Sequence, residues 1–190
     1  MLDVAFGLPL HPLIVHATVV VVPLATLAVL LAGLWPRFRD WAGWLPLVLA
    51  AAAVVLTPLS TQSGESLQRR VPSTELVREH VALGDSLTPW VLLLGVAAVA
   101  TTVVWRRERV LAHGAATDPL GRLGDHVSGW TGTGALPRWL VVVTAVLAVV
   151  AGVGTAQQVV RIGHSGAQAA WSQAAATTPT RHGGGDGDGR

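Results

Sequence analysis

The chain has 190 residues, 51% hydrophobic and 13% charged, and its mean hydropathy of +0.53 excludes an ordinary soluble domain and points to a membrane protein. It has no cysteine, which excludes disulfides, thiolate chemistry, iron–sulfur clusters and covalent c-type haem attachment. All 13 basic residues are arginines, scattered at run ends and in loops; the formal charge is only +2, and no dense basic face suited to nucleic acid forms.

Four apolar runs are long enough to cross a bilayer, at 13–35, 43–60, 87–105 and 139–160. Length decides for helices over buried strands, because each run spans five turns or more. The expected fold is therefore all-α, an integral membrane four-helix bundle in residues 1–171.

The first ten residues, MLDVAFGLPL, contain Asp3 and no basic residue, and the run after them is too long for a signal-peptide core. We read it as a retained span. Pro12 favours the first helical turn, so His11 is the expected helix cap. His16 lies deeper, about 6 Å along the axis from Pro12, and roughly 140° around the helix from His11. One regular helix would not bring those two histidines to one ion. His16 shares its face with Val20, Pro23 and Leu27, the side expected to face the bundle.

The second span leaves the membrane as LSTQSGESL, which supplies Thr61, Gln62, Ser63 and Glu65 as hydrogen-bonding groups. PSTELVREHVALGDSL follows, with Ser73 as expected N-cap and Glu75 suited to the positive first turn. Leu76, His80, Leu83 and Leu87 recur at helical spacing, which places His80 on the apolar stripe of a helix continuous with the third span. Arg78, Glu79 and Asp85 fall off that stripe. A histidine so placed needs a partner, because an unsatisfied buried imidazole is costly.

Residues 106–138 show no sustained period and are expected to form a disordered cytoplasmic loop, with His113 and His126 as surface residues. In the fourth span, Ala148, Gly152 and Ala156 form a small-residue stripe suited to close helix packing. RIGHSGAQAAW follows, where Gly163 and Gly166 are expected to bend or end the helix around His164. The low-complexity tail at 172–190, which contains His182, is expected to be disordered.

Trp35, Trp41, Trp44, Trp90, Trp105 and Trp139 lie near run ends, as an interfacial belt would. Arg37, Arg39, Arg106, Arg107, Arg109, Arg122 and Arg138 flank one side of the membrane; the other side has fewer arginines, diluted by carboxylates. The positive-inside rule then puts both termini outside, and His11, His16, His80 and His164 on that same extracytoplasmic face.

These segments, in this order, resemble the bacterial membrane family known as domain of unknown function 2231. HPLIVH is similar to its His-Pro-x-x-Val-His opening, LSTQSGESLQRRV to its Thr-x-x-Gly segment and EHVALGD to its His-x-x-x-Gly helix. RIGHSGAQAAW is similar to an ending seen in its actinobacterial-type members, so the resemblance covers about residues 9–171. It departs at His16–Thr18, where the family more often has His-Phe-Pro and thus an aromatic able to pack on a ligand. The resemblance implies four membrane helices and an extracytoplasmic histidine cluster. Some relatives carry fused cytochrome-like domains, which implies redox chemistry by association.

Two classes of function follow. In the first, a b-type haem or a metal ion lies between helices near the outer face, with His16 and His80 as the axial pair and His164 as the alternate. Arg70, Arg78 or Arg161 would then pair with the propionates. Zinc or copper would draw on His16, His80, His164 and Glu79. Such a protein would be an electron-transfer component with a membrane redox partner, not a stand-alone enzyme. In the second class the histidines form an interfacial hydrogen-bond network with Glu65 or Asp85, in a structural or partner-binding module that includes a homo-oligomer among its options and needs no cofactor. Transport is disfavoured because span interiors offer only Thr26, Thr101, Thr102, Thr144 and Thr155 as polar groups. Hydrolysis is disfavoured because His164 and Ser165 are chain neighbours, unable to face each other as base and nucleophile.

Overall fold

The computed structural model describes the backbone of residues 4–5, 8–68, 74–117 and 136–177. The expectations for Ser73, Arg70, Arg122, His126 and His182 fall outside the described residues, as do the side chains of His11 and His113.

A two-residue strand pair, β1 (Val4–Ala5) and β2 (Leu8–Pro9), precedes α1 (Leu10–Leu34). A short helix α2 (Pro36–Ala42) turns the chain into α3 (Leu45–Gln68). Helix α4 (Glu75–Asp85) leads into α5 (Leu87–Thr117), and α6 (Arg138–Thr177) completes the bundle. Four stretches, in α1, α3, α4–α5 and α6, are long and apolar enough to span a membrane.

Neighbours run antiparallel. Val54 of α3 packs on Gly95 of α5; Gly33 of α1 meets Ala148 of α6, and Leu30 meets Gly152. With α1 also packed on α3, the four long helices close a ring. One end gathers the start of α1, the end of α3, α4 and the end of α6; this is the histidine end. The other, the arginine end, gathers α2, the start of α3 and the end of α5.

Helices outrun the apolar runs that announced them. Hydrophobicity reports the thickness of the hydrocarbon layer, whereas a helix continues until its backbone is interrupted. Helix α6, at 40 residues, is about 60 Å long, roughly twice that layer. The expected loop at 106–138 is therefore helical as far as Thr117. The expected tail at 172–190 is helical as far as Thr177. Gly163 and Gly166 do not end α6, which runs through both of them. Helix α1 begins at Leu10, so His11 stands inside the first turn and not at its cap. Pro12 costs nothing there, because first-turn N–H groups have no acceptor within the helix. The N-cap of α4 is Thr74, whose hydroxyl accepts from the Val77 N–H at 3.3 Å. The turn at Ser86 separates α4 from α5 because Pro89 has no N–H to offer the Asp85 carbonyl.

The inner surface is built from small residues. Ala25, Ala32, Ala53, Ala97, Ala98, Ala148 and Ala151 are buried, together with Val22, Val29, Val91 and Leu94. Large side chains such as Val19, Val20, Leu24, Leu27 and Val146 face outward. Lipid is as apolar as the core, so close backbone approach, and not greasiness, selects the inward face. This corrects the face assigned to His16. Val20, Pro23 and Leu27 are exposed, and His16 with them; the interior side of α1 is the Thr18, Val22, Ala25, Val29 face. Of the small-residue stripe on α6, Ala148 and Gly152 lie in the α1 seam, whereas Ala156 is exposed.

Buried threonines satisfy themselves locally. Thr26, Thr57, Thr102 and Thr155 donate to the carbonyl four residues back in their own helices, at 2.7–2.8 Å. These hydroxyls are thus tied to their own helices instead of forming a relay along the bundle.

At the arginine end, Arg39 of α2 is 3% exposed and its fork grips Glu108 of α5, with Nη2 at 2.9 and 3.0 Å from the two carboxylate oxygens and Nε at 3.2 Å. Its Nη1 donates to the Ala32 carbonyl at 3.0 Å. That carbonyl would normally accept from residue 36, but Pro36 has no N–H. Arg39 therefore supplies the donor that the proline withholds, beside the negative end of α1.

Candidate functional site at the histidine end

The site is a seam between α6 and the α4–α5 turn. Leaving α4 at Ser86 frees the Leu83 carbonyl from regular helix bonding. Ser86 Oγ donates to it at 2.7 Å, and Gln158 Nε2 reaches across from α6 to donate to it at 3.2 Å and also to Ser86 Oγ. One turn earlier on α6, the Thr155 hydroxyl, bonded to the Ala151 carbonyl, lies 3.3 Å from the Trp90 carbonyl. Gly154 lets the Trp90 indole lie directly on the α6 backbone.

His80 closes the outer part of the seam. Its Nδ1 is 3.0 Å from Ser165 Oγ, and Ser165, 6% exposed, donates its own proton to the Ile162 carbonyl at 3.0 Å. With that proton committed, His80 Nδ1–H is the donor and Nε2 carries the lone pair. The imidazole lies over Gly166, where a Cβ would sit 3.0 Å from its Cε1. Thr155, Gln158 and Ser165 fall within about 80° of one another on the wheel of α6, so one polar strip of that helix faces α4 and α5.

The half-buried His80 thus has the partner that its place on the Leu76–Leu83–Leu87 stripe demanded, and that partner is a serine on a different helix. Arg78 pairs with Glu75 on the exposed side of α4. Ser165, set apart from hydrolytic chemistry with His164 by sequence adjacency, pairs with a different histidine, but its burial and its donated proton leave no accessible nucleophile.

His16 and His164 share this end without sharing this space. His16 is exposed and its Nδ1–H donates to the Pro12 carbonyl of its own helix. His164 is exposed on α6 next to buried Ser165. Among the described residues, no three histidines or carboxylates come together as a metal-holding group.

A family model described as predicted membrane protein, DUF2231, matches residues 7–179. The chain belongs to the DUF2231 family. No curated protein and no solved structure matches it. The family match takes in all four spans and the whole α4–α6 seam of this DUF2231 chain.

Gln158 and Ser165 are the site residues that sequence reasoning missed. Gln158 gave a usable signal: an amide within an apolar run must find a partner, and a helix break is the commonest source of free carbonyls. Ser165 gave none beyond its place beside Gly166, where a neighbouring side chain can approach the backbone.

Proposed function

We propose that this DUF2231 protein is a structural or partner-binding membrane module, in which the histidine end works by hydrogen bonding and not by holding a cofactor between its helices. The observation that carries this reading is the His80–Ser165 bond across Gly166. It commits Nδ1 of the most interior described histidine to latching α4 on α6. The arginine distribution supports a multi-pass orientation in a bacterial plasma membrane with both termini extracytoplasmic, so that the latch faces outward. Exposed His164, beside the latch, is then available to a partner at that surface.

A second reading, haem b or another metal-bearing group, has one observation in its favour. Both His16 and His80 engage Nδ1 and leave the Nε2 lone pair for ligation, as second-shell bonding does in metal sites. Their positions do not fit a single haem clasped between them, because His16 lies on the outward face of α1 and His80 in the α4–α6 seam. Protein purified from haem-supplied cells in mild detergent decides between the two. The hydrogen-bonding reading predicts no Soret band that shifts on reduction, and no bound transition metal by elemental analysis. A redox-sensitive Soret band abolished by His16→Ala or His80→Ala would overturn it.

A further inference from the structure

At the histidine end, α4 and α6 carry opposite charge at one and the same spacing. On α6, Gln157, Arg161, His164 and Gln168 recur at intervals of four, three and four residues, and all are exposed. On α4 and its C-cap, Glu75, Glu79, Ala82 and Ser86 recur at the same intervals and are exposed as well. Such intervals keep each set in one stripe along its helix. The α6 stripe holds two basic side chains and no acid; the α4 stripe holds two carboxylates and no base. Glu75 pairs with Arg78, but Glu79, Arg161 and His164 have no ion-pair or side-chain hydrogen-bond partner among the described residues.

Both stripes lie on one side of the α4–α6 pair. Each is centred roughly 100° round its helix from the seam residues, in the same rotational sense, and in antiparallel right-handed helices that brings both to one face. The seam also fixes their heights, because His80 stands opposite Ser165 and Ser86 opposite Gln158. Glu79 is therefore level with about residue 166 of α6, between His164 and Gln168, and Ala82 with about residue 163, between Arg161 and His164. Ser86 falls between Gln157 and Arg161. Each member of the α4 stripe from Glu79 to Ser86 thus stands level with a gap in the α6 stripe. Within one chain the stripes lie side by side and cannot interdigitate. About 20 residues counted from Trp139 cross the hydrocarbon, so α6 stands outside it from about residue 160 onward, where charges pair without entering lipid.

We propose that this face binds a second copy of the chain, in a two-fold dimer that lays α4 of each copy against α6 of the other. Copies inserted the same way are related by an axis along the membrane normal, which keeps every residue at its own height. The register read within one chain then applies between chains. Glu79 enters the gap between His164 and Gln168 of the other copy, where His164 is its opposite charge, and Ala82 enters the gap between Arg161 and His164. Pairing α6 with α6 is disfavoured by the same rule, since it would set Arg161 level with Arg161. The proposal rests on reading the histidine end as a partner-binding surface, and it makes the partner a second copy.

The chain has no cysteine, so introduced thiols report the pairing without background. Two differently tagged full-length copies, one with Ala82→Cys and the other with Arg161→Cys, are co-expressed and oxidised in the membrane. A disulfide joining the two tags is expected, and it requires Cα atoms within about 7 Å. Ala82→Cys with Gly163→Cys is the control: Gly163 is exposed at the height of Ala82 but lies about 120° round α6 from the stripe, so its yield should be several-fold lower. Adding Glu79→Arg to both copies of the first pair should lower the yield several-fold, and adding His164→Glu as well should restore it. Equal yields from the two thiol pairs, or failure of His164→Glu to restore the yield, would overturn the proposal. So would absence of the tag-to-tag disulfide while both thiols react with maleimide. The cross-link does not depend on colour: a redox-sensitive Soret band would overturn the hydrogen-bonding reading and leave the pairing to be decided by the thiols.

Discussion

Glu108→Ala is expected to destabilise the protein by about 2–3 kcal/mol, and by more than Arg39→Met does. Breaking a buried ion pair costs about 3–5 kcal/mol when the orphaned charge has nowhere to go. The value here is discounted because Glu108 is 37% exposed and water screens that half of the pair. The asymmetry follows from burial. Removing Glu108 strands a guanidinium that is 3% exposed, whereas removing Arg39 leaves a carboxylate that water already reaches. Methionine also fills the space, although the Ala32 carbonyl then loses its donor. Unfolding midpoints in mild detergent, converted to free energies, check the order; Arg39→Met proving the costlier change would contradict it.

Two glycines on α6 should respond to alanine with opposite signs. At Gly154 a Cβ would fall within the Trp90 indole, so Gly154→Ala must push Trp90 off α6 and loosen the Thr155–Trp90 contact. Overpacking of this kind costs about 1–3 kcal/mol. At Gly163 a Cβ meets nothing within 4 Å, and Gly163→Ala should stabilise the helix by up to about 1 kcal/mol. The comparison holds the chemistry and the helix constant and varies only the neighbour. Equal effects at the two sites would show that Trp90 does not rest where the seam requires it.

The number and order of the four membrane spans were readable from apolar length alone, because a bilayer core imposes a minimum span that few other contexts imitate; the seven-residue α2 was not, and α4, expected to run on into the third span, ends at Asp85. The stripe that sets His80 on the inner side of α4 was equally readable, since α4 lies where water still separates polar from apolar faces. Inside the membrane that signal disappears. Val20 and Leu27 are as content against lipid as against a neighbouring helix, which is why the face of His16 was assigned inward and lies outward. Helix ends were obscured for a related reason. RRERVLAH and SQAAAT are polar but carry no proline, so they leave the hydrocarbon without leaving the helix. The Arg39–Glu108 pair joins residues 69 apart, and no local pattern distinguishes it from the charges that orient the chain.

At the histidine end, His80 latches α4 to α6 through Ser165. A double-mutant cycle of His80→Ala and Ser165→Ala, read as unfolding free energies in mild detergent, tests it most directly, because the cycle cancels the packing each substitution loses alone. A latch of this kind should show a coupling of about 0.6 kcal/mol, with about 1.7 kcal/mol as the upper range for hydrogen bonds between membrane helices. Strict additivity of the two substitutions would contradict it.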